Sequence, residues 1–184
     1  MTTETFNFIE IYKINKTICN SLITYFKKNK EYKMSGSVDN NVVIKKIKNS
    51  TDVHFYNNST NKSINVFFNE LTKHIKSYVD KYKIIDSLLT SQSNNIQHYK
   101  SGGGYPHWHY ERGAGSMSSR QLVYMLYLNT VTDKGETVFP YQKVKTLPVK
   151  GDLIIWPAEF THPHYGVISP TQEKYIATGW LELQ

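Results

Sequence analysis

The sequence predicts a mainly β domain with helices towards its N-terminus, an α+β arrangement in which a small β-barrel or sandwich is supported by helices. Three observations carry this. Residues 1–95 hold two stretches with apolar residues at helical spacing. Residues 96–184 hold short segments rich in β-forming residues, separated by turn residues. The 184-residue length suits one domain with a sizeable core. Residues 1–184 are therefore expected to form a single domain, with 1–95 as helical support and lid elements and 96–184 as the β core. A hydrophobic fraction of 39% and an aromatic fraction of 14% exclude a disordered chain.

Within residues 14–30, Ile14, Ile18, Leu22, Tyr25 and Phe26 recur at helical spacing. Lysines gather near the C-terminal end, where the helix dipole favours them. Asn61 or Ser63 is placed to cap a second helix, with Ile64, Phe67, Phe68, Leu71, Ile75, Tyr78 and Val79 on one face. Lys73, Lys76 and Lys81 lie on the other. Residues 35–41 and 57–61 read as loops, and residues 41–48 (NVVIKKIK) as a strand. Further on, strands are expected at 95–100, 107–112, 120–129 (RQLVYMLYLN, the clearest), 137–140, 146–148, 152–156, 164–167 and 174–182. Asp133-Lys134-Gly135, Lys150-Gly151 and Ser169-Pro170 mark turns.

The formal net charge of +7 divides unevenly. Residues 1–95 carry 14 Lys against 8 acids, whereas residues 96–184 carry 8 Lys and Arg against 7 acids. Five of the seven His lie in the second part, so basic surface and His chemistry occupy different stretches. The single Cys19 excludes an internal disulfide framework and a Cys-rich zinc site, and suits a reducing compartment. The longest apolar run, 122–128, is far short of the roughly 20 residues that span a bilayer. The start, MTTETFNFIEIYK, lacks the basic, apolar and small-residue sections of a signal peptide. A cytoplasmic protein with no membrane partner is expected.

Two His pairs carry the chemistry: His107-Trp108-His109-Tyr110-Glu111 and His162-Pro163-His164. On a strand, residues two apart share a face, so His107, His109 and Glu111 can point one way together, as can His162 and His164. Two imidazoles and a carboxylate on rigid strands suit a non-haem Fe(II) centre that leaves three positions open, although the pairs alone do not identify the metal. Lys174 begins the segment KYIATGW, on a face with Ile176, Thr178 and Trp180. A cation on an apolar barrel strand is costly unless it meets an anion or reaches water. Near a metal, a dicarboxylate co-substrate is a fitting partner. Tyr99, Tyr105 and Tyr127 offer hydroxyl donors, though packing is the usual role of Tyr in a strand.

Residues 99–180 resemble the catalytic core of the Fe(II)/2-oxoglutarate-dependent dioxygenases, in particular the prolyl 4-hydroxylase-like branch. The resemblance rests on Y-x-x-G-G-G-Y, H-x-E, R-x-x-x-x-x-L-Y-L-N, G-E-T-x-F-P, K-G-D-L-I-I-W, H-x-G and K-Y-x-x-T-G-W, in matching order and spacing over about 80 residues. It implies a double-stranded β-helix, a jelly-roll core with the metal at its mouth. It implies His109, Glu111 and His164 as metal ligands and Lys174 as the anchor of the 2-oxoglutarate C5 carboxylate. It also implies Tyr127 and Tyr99 as pocket donors, Thr178 as a helper on the Lys174 face and Trp180 on the pocket floor. His107 and His162 are then candidates to support the ligands or to line the pocket. Most of the branch has Asp where this chain has Glu111, one methylene longer, and His107-x-His109 is an alternative pair. A cupin arrangement is disfavoured, because only Tyr110 separates His109 from Glu111.

The activity implied is hydroxylation of an unactivated C–H bond with release of succinate and CO2. Fe(II) and 2-oxoglutarate are the implied cofactor and co-substrate, and ascorbate is a candidate further cofactor. Peptidyl proline in a peptide or protein partner is the first substrate class. The glycine- and serine-containing segments 35–41 and 112–119 are candidate lids. A nucleic-acid or small-molecule oxygenase and a catalytically silent metal-binding barrel are the alternatives. Nucleic acid is disfavoured by dispersed lysines and only two arginines.

Overall fold

The computed structural model describes residues 7–38, 42–84 and 87–183. Helix α1 (Lys16–Lys28) starts at Asn15, whose side chain accepts from the Thr17 N–H, and ends on Lys27 and Lys28. It buries Ile18, Cys19, Leu22 and Phe26 along one stripe. Helix α2 (Lys62–Tyr82) is capped by Asn61, which accepts from the Ser63 N–H, and stops where Lys83 turns left-handed. Ile64, Phe67, Leu71 and Tyr78 form its buried stripe. No helix among the described residues is long and apolar enough to cross a membrane.

Eleven strands are described: β1 (Glu10–Lys13), β2 (Met34–Ser35), β3 (Thr51–Tyr56), β4 (Leu88–Thr90), β5 (Ser93–Tyr99), β6 (Arg120–Tyr127), β7 (Thr137–Phe139), β8 (Val144–Thr146), β9 (Asp152–Pro157), β10 (Tyr165–Gly166) and β11 (Lys174–Leu183). The larger sheet runs β1-β9-β6-β11-β5-β3-β2, with β4 also on β11, and the smaller runs β10-β7-β8. Every pairing is antiparallel. The expected mainly β jelly-roll with supporting helices is the fold observed.

The larger sheet is buried on both sides, which is why β6 reads as a continuous apolar run rather than an alternation. Val53, Phe55, Ile96, Tyr124, Leu126, Tyr175, Ala177 and Leu181 pack against the two helices. Tyr99, Val123, Met125, Tyr127, Ile154, Trp156 and Ile176 turn the other way and meet Phe139 of the smaller sheet. Gly179 belongs to the helix-facing row. A Cβ there would lie 1.9 Å from Asn94 Oδ1, so only glycine leaves room for the bond of 2.7 Å that Tyr124 donates to Asn94.

The structure departs from expectation in three places. Residues 42–48 form no regular strand: Val42 makes only an isolated bridge to Val38, a turn follows, and Val42, Val43 and Ile44 stay exposed. The strand begins instead at Thr51, where Val53 and Phe55 alternate into the core. Residue 41 and the 39–41 end of the expected 35–41 loop lie outside the described residues. Residues 107–112 also form no regular strand, following Pro106 with a single bridge at His109. Finally, residues 1–95 are more than helical support. They supply β1, β2, β3 and β4 to the larger sheet, and β5 spans the position where helical and β textures divide.

Candidate metal centre

The two His-bearing segments meet through one antiparallel bridge. His109 N–H donates to the His164 carbonyl at 3.0 Å, and His164 N–H donates back at 2.9 Å. Each imidazole then places Nδ1 on the carbonyl two residues earlier: His109 on His107 at 2.8 Å, His164 on His162 at 3.1 Å. A carbonyl only accepts, so each Nδ1 carries the proton and each Nε2 keeps its lone pair for a ligand.

Glu111 completes the group. Its Oε1 lies 3.7 Å from His109 Nε2 and 3.6 Å from His164 Nε2. The ligand atoms offered by the three residues all fall within 4.8 Å of one another. The second carboxylate oxygen accepts from Trp180 Nε1 at 2.9 Å. Arg120 lies 3.6 Å from that oxygen, donates to the Glu111 carbonyl at 3.0 Å, and spreads over the Trp180 ring at 3.6 Å. Trp180 and Arg120 thus fix the extra methylene of Glu111, leaving Oε1 aimed between the imidazoles.

The electrostatics suit a cation. Burial, reinforced by His164, lowers the His109 pKa to about 4, so the ring is neutral at pH 7. For Glu111, burial works to raise the pKa. The hydrogen bond with His164 and the charges of His109, His164 and Arg120 outweigh it and hold the carboxyl well below its usual range. Two imidazole nitrogens and one carboxylate form a donor set that fits Fe(II). The surroundings are largely aromatic: Tyr105 stacks on His109 at 3.8 Å, and Phe139 and Trp156 lie 5.4 and 5.1 Å from His164.

Lys174 stands at the start of β11 and is 6% exposed. Strand alternation puts it on the same face as Ile176, Thr178 and Trp180, the residue that bonds Glu111. Its Nζ donates to the Gly135 carbonyl at 3.0 Å and lies 5.3 Å from the Tyr99 ring centre. It makes no ion pair with any described residue. Burial depresses its pKa to about 8, against the opposing charge of Glu136. Gly135 reaches Lys174 through a left-handed turn, with φ of +87°. A buried ammonium with one carbonyl partner is a ready anchor for a carboxylate.

The remaining expected pocket residues fall as follows. Tyr99 donates to Gln97 Oε1 at 2.6 Å. Tyr127 donates to Thr137 Oγ1 at 2.8 Å, and Thr178 donates to the Tyr124 carbonyl at 2.8 Å. Trp180 donates to the Glu111 carboxylate. His107 is exposed, in a segment that forms no regular strand. His162 is buried, with Nε2 on the Asn7 carbonyl at 3.0 Å and Nδ1 on Thr161 Oγ1 at 2.9 Å. Sequence reasoning missed the action of Arg120 on Glu111 and the Gly135 carbonyl on Lys174. Neither contact leaves a spacing signal, since each joins separate segments.

Comparison with known proteins fits this geometry. The family model of the 2OG-Fe(II) oxygenase superfamily matches residues 94–182. No curated protein matches the chain. Among solved structures, the chain is similar to the viral collagen prolyl hydroxylase vCPH from Paramecium Bursaria Chlorella virus-1, in its 2OG complex. The identity is 22%, the TM-score 0.75 and the cover 97% of both chains. It is also similar to a Pseudomonas putida prolyl-4-hydroxylase, at 15% identity and a TM-score of 0.77 over 95% of this chain and 92% of that one. A Trichoplax adhaerens prolyl hydroxylase in complex with a hypoxia inducible factor oxygen degradation domain peptide matches at 14% identity. Its TM-score is 0.77 over 96% of this chain and 84% of that one. At these identities the likeness establishes a shared fold.

Proposed function

We propose, from the premise that the chain belongs through residues 94–182 to the 2OG-Fe(II) oxygenase superfamily, that it hydroxylates a peptidyl proline, consuming 2-oxoglutarate and releasing succinate and CO2. The observation that carries this is the convergence of His109, Glu111 and His164 on the same interior face as the buried Lys174, which makes no ion pair with a described residue. Support for the proline substrate comes from the prolyl hydroxylases that share the fold, one of them holding a peptide.

In this mechanism His109 and His164 present Nε2 and Glu111 presents Oε1 to Fe(II). When bound, the iron with 2-oxoglutarate and dioxygen supplies the oxidising chemistry. Trp180 and Arg120 hold Glu111 in place. Lys174 receives the far carboxylate of 2-oxoglutarate through a charge-assisted hydrogen bond, with Tyr99 beneath it. Tyr127 and Thr178 line the same interior, with their hydroxyls held by Thr137 and by the Tyr124 carbonyl. Phe139 and Trp156 exclude water around His164. Ascorbate is proposed as a supporting reductant. A cytoplasmic location fits the lone Cys19, buried with its thiol on the Tyr127 carbonyl.

Mass spectrometry after incubation with Fe(II), 2-oxoglutarate and proline-containing peptides, with and without ascorbate, tests this directly. Addition of ~16 Da on proline is the expected result, one oxygen atom transferred. Oxidation of an oligonucleotide or of a free small molecule instead of peptide moves the substrate class. No succinate with any substrate, at intact Fe(II) binding, leaves a catalytically silent metal-binding barrel.

A further inference from the structure

We propose that the ring cluster of Trp108, Tyr141 and Tyr165, together with Lys143 and Lys145 of the adjoining β7–β8 hairpin, is a docking surface for an extended, acidic, proline-containing polypeptide. The occupant lies outside the reacting residue. This rests on the hydroxylase function proposed above.

The geometry begins at the His109–His164 bridge. Trp108 and Tyr165 are the immediate chain neighbours of His109 and His164, on the two segments joined by that bridge, and their rings meet each other. There the two rings run parallel, 6° apart in tilt with centroids 6.2 Å apart. Tyr141 meets Trp108 edge-on at 6.0 Å and 83°. Trp108 is 57% exposed and Tyr141 66%. Large rings left in mutual contact on the surface form an apolar patch of the kind that marks an interaction site. The register pairs Tyr165 with Val138 and Val138 with Lys145, which places Lys145 on the same face as Tyr165.

The chemistry of the occupant follows from the rings and the charge. Flat aromatic faces accept proline rings, and a polyproline-type chain arrives with little backbone entropy left to lose. The β7–β8 hairpin and its flanks, residues 137–149, contain Lys143 and Lys145 and no acid, so the surface favours carboxylates and disfavours a cationic ligand. Two lysines beside three rings are too few for binding driven by a phosphate backbone, which needs a cation for each phosphate neutralised. The surface is continuous with the proposed site, because each of Trp108 and Tyr165 is bonded to a ligand residue. A chain seated on the rings reaches the pocket by crossing the 107–110 segment.

The test uses the full chain and fluorescence anisotropy with three probes: a 15-residue peptide of alternating Glu and Pro, the same peptide with Gln for Glu, and a 15-nucleotide oligothymidylate. The acidic peptide is expected to bind ~10-fold tighter than the neutral one, and the Trp108→Ala/Tyr141→Ala double variant to lose ~10-fold or more for both peptides. Lys143→Glu/Lys145→Glu should reverse the preference between the peptides. Circular dichroism reports folding, and the lysine variant, confined to exposed side chains, decides the matter if the ring variant fails to fold. Wild-type affinity in a folded ring variant overturns the proposal, as does an unchanged peptide preference in the lysine variant or tighter ring-dependent binding of the oligonucleotide. Ring-dependent peptide binding with no peptide oxidation under Fe(II) and 2-oxoglutarate keeps the docking surface and removes the hydroxylase function. Oxidation of the peptides without ring dependence does the reverse.

Discussion

Strand β11 serves two different environments with alternate residues. Tyr175, Ala177 and Leu181 face the helices in a row that Gly179 completes, and they pack into a cluster with Val53, Phe55, Phe67 and Leu71. Lys174, Ile176, Thr178 and Trp180 face the interior, where a buried ammonium, a carboxylate and two imidazoles come together. The helix-facing row makes favourable contacts with no ligand present. The interior row places Lys174 where it makes no ion pair with a described residue, a cost that a bound carboxylate repays. Substitutions on the two rows should therefore act in opposite ways, one on stability and the other on ligand affinity.

The largest effect is expected at the interior. His164→Ala or His109→Ala should abolish substrate-coupled 2-oxoglutarate turnover and weaken Fe(II) by at least ~100-fold, since losing even an outer partner of a ligand costs 10–100-fold. Metal titration of the folded variants checks this, and wild-type affinity in both would remove them as ligands. On the helix side that packs against the other row, Phe67→Ala in α2 should cost ~3–5 kcal/mol of stability through a core cavity. Urea unfolding measures the loss. The fraction still folded should bind Fe(II) as before, and a matching loss of metal affinity would erase the distinction between the rows.

Lys174→Met separates the two effects in one residue. The 2-oxoglutarate requirement should rise ~10-fold or more, while the metal-free protein should be no less stable than the wild type. The pH dependence carries the same sign. With the folded pKa lowered to about 8, the unfolded chain binds more protons between pH 8 and its ordinary 10.5. The wild type should therefore gain stability across that window, by up to ~3 kcal/mol, and Lys174→Met should lack this component. Unfolding curves at pH 7.5 and 10.5 compare them, and an identical slope in both proteins would mean that Lys174 is not strained by burial.

The smallest effects sharpen the comparison within the interior itself. His107 and His162 each offer a backbone carbonyl to the next His, which an Ala substitution keeps. Only His162 also uses its ring, on Asn7 and Thr161. His162→Ala should cost ~1–2 kcal/mol and His107→Ala less than ~0.5. Equal melting temperatures for the two variants would show that the Asn7 contact contributes nothing.

The sequence alone determined what depends on local periodicity and on bonded spacing. The stripes Ile18-Leu22-Phe26 and Ile64-Phe67-Leu71-Tyr78 announce the helices, because 3.6 residues per turn makes a buried face visible in one dimension. The motifs from Tyr99 to Trp180, in their order and spacing, carry the resemblance to the family and, through it, the choice of His109 and His164. Residues 41–48 misled, because a β-branched run becomes a strand only where a partner edge exists, and that edge is taken by Thr51–Tyr56. Only the tertiary structure brought His109, His164 and the Glu111 carboxylate within reach of one another. The bridge between His109 and His164, the turn that brings the Gly135 carbonyl to Lys174, and the hold of Trp180 and Arg120 on Glu111 join segments 9 to 69 residues apart. Chain closure over such distances is set by how the two sheets pack, and no local pattern of residues records it.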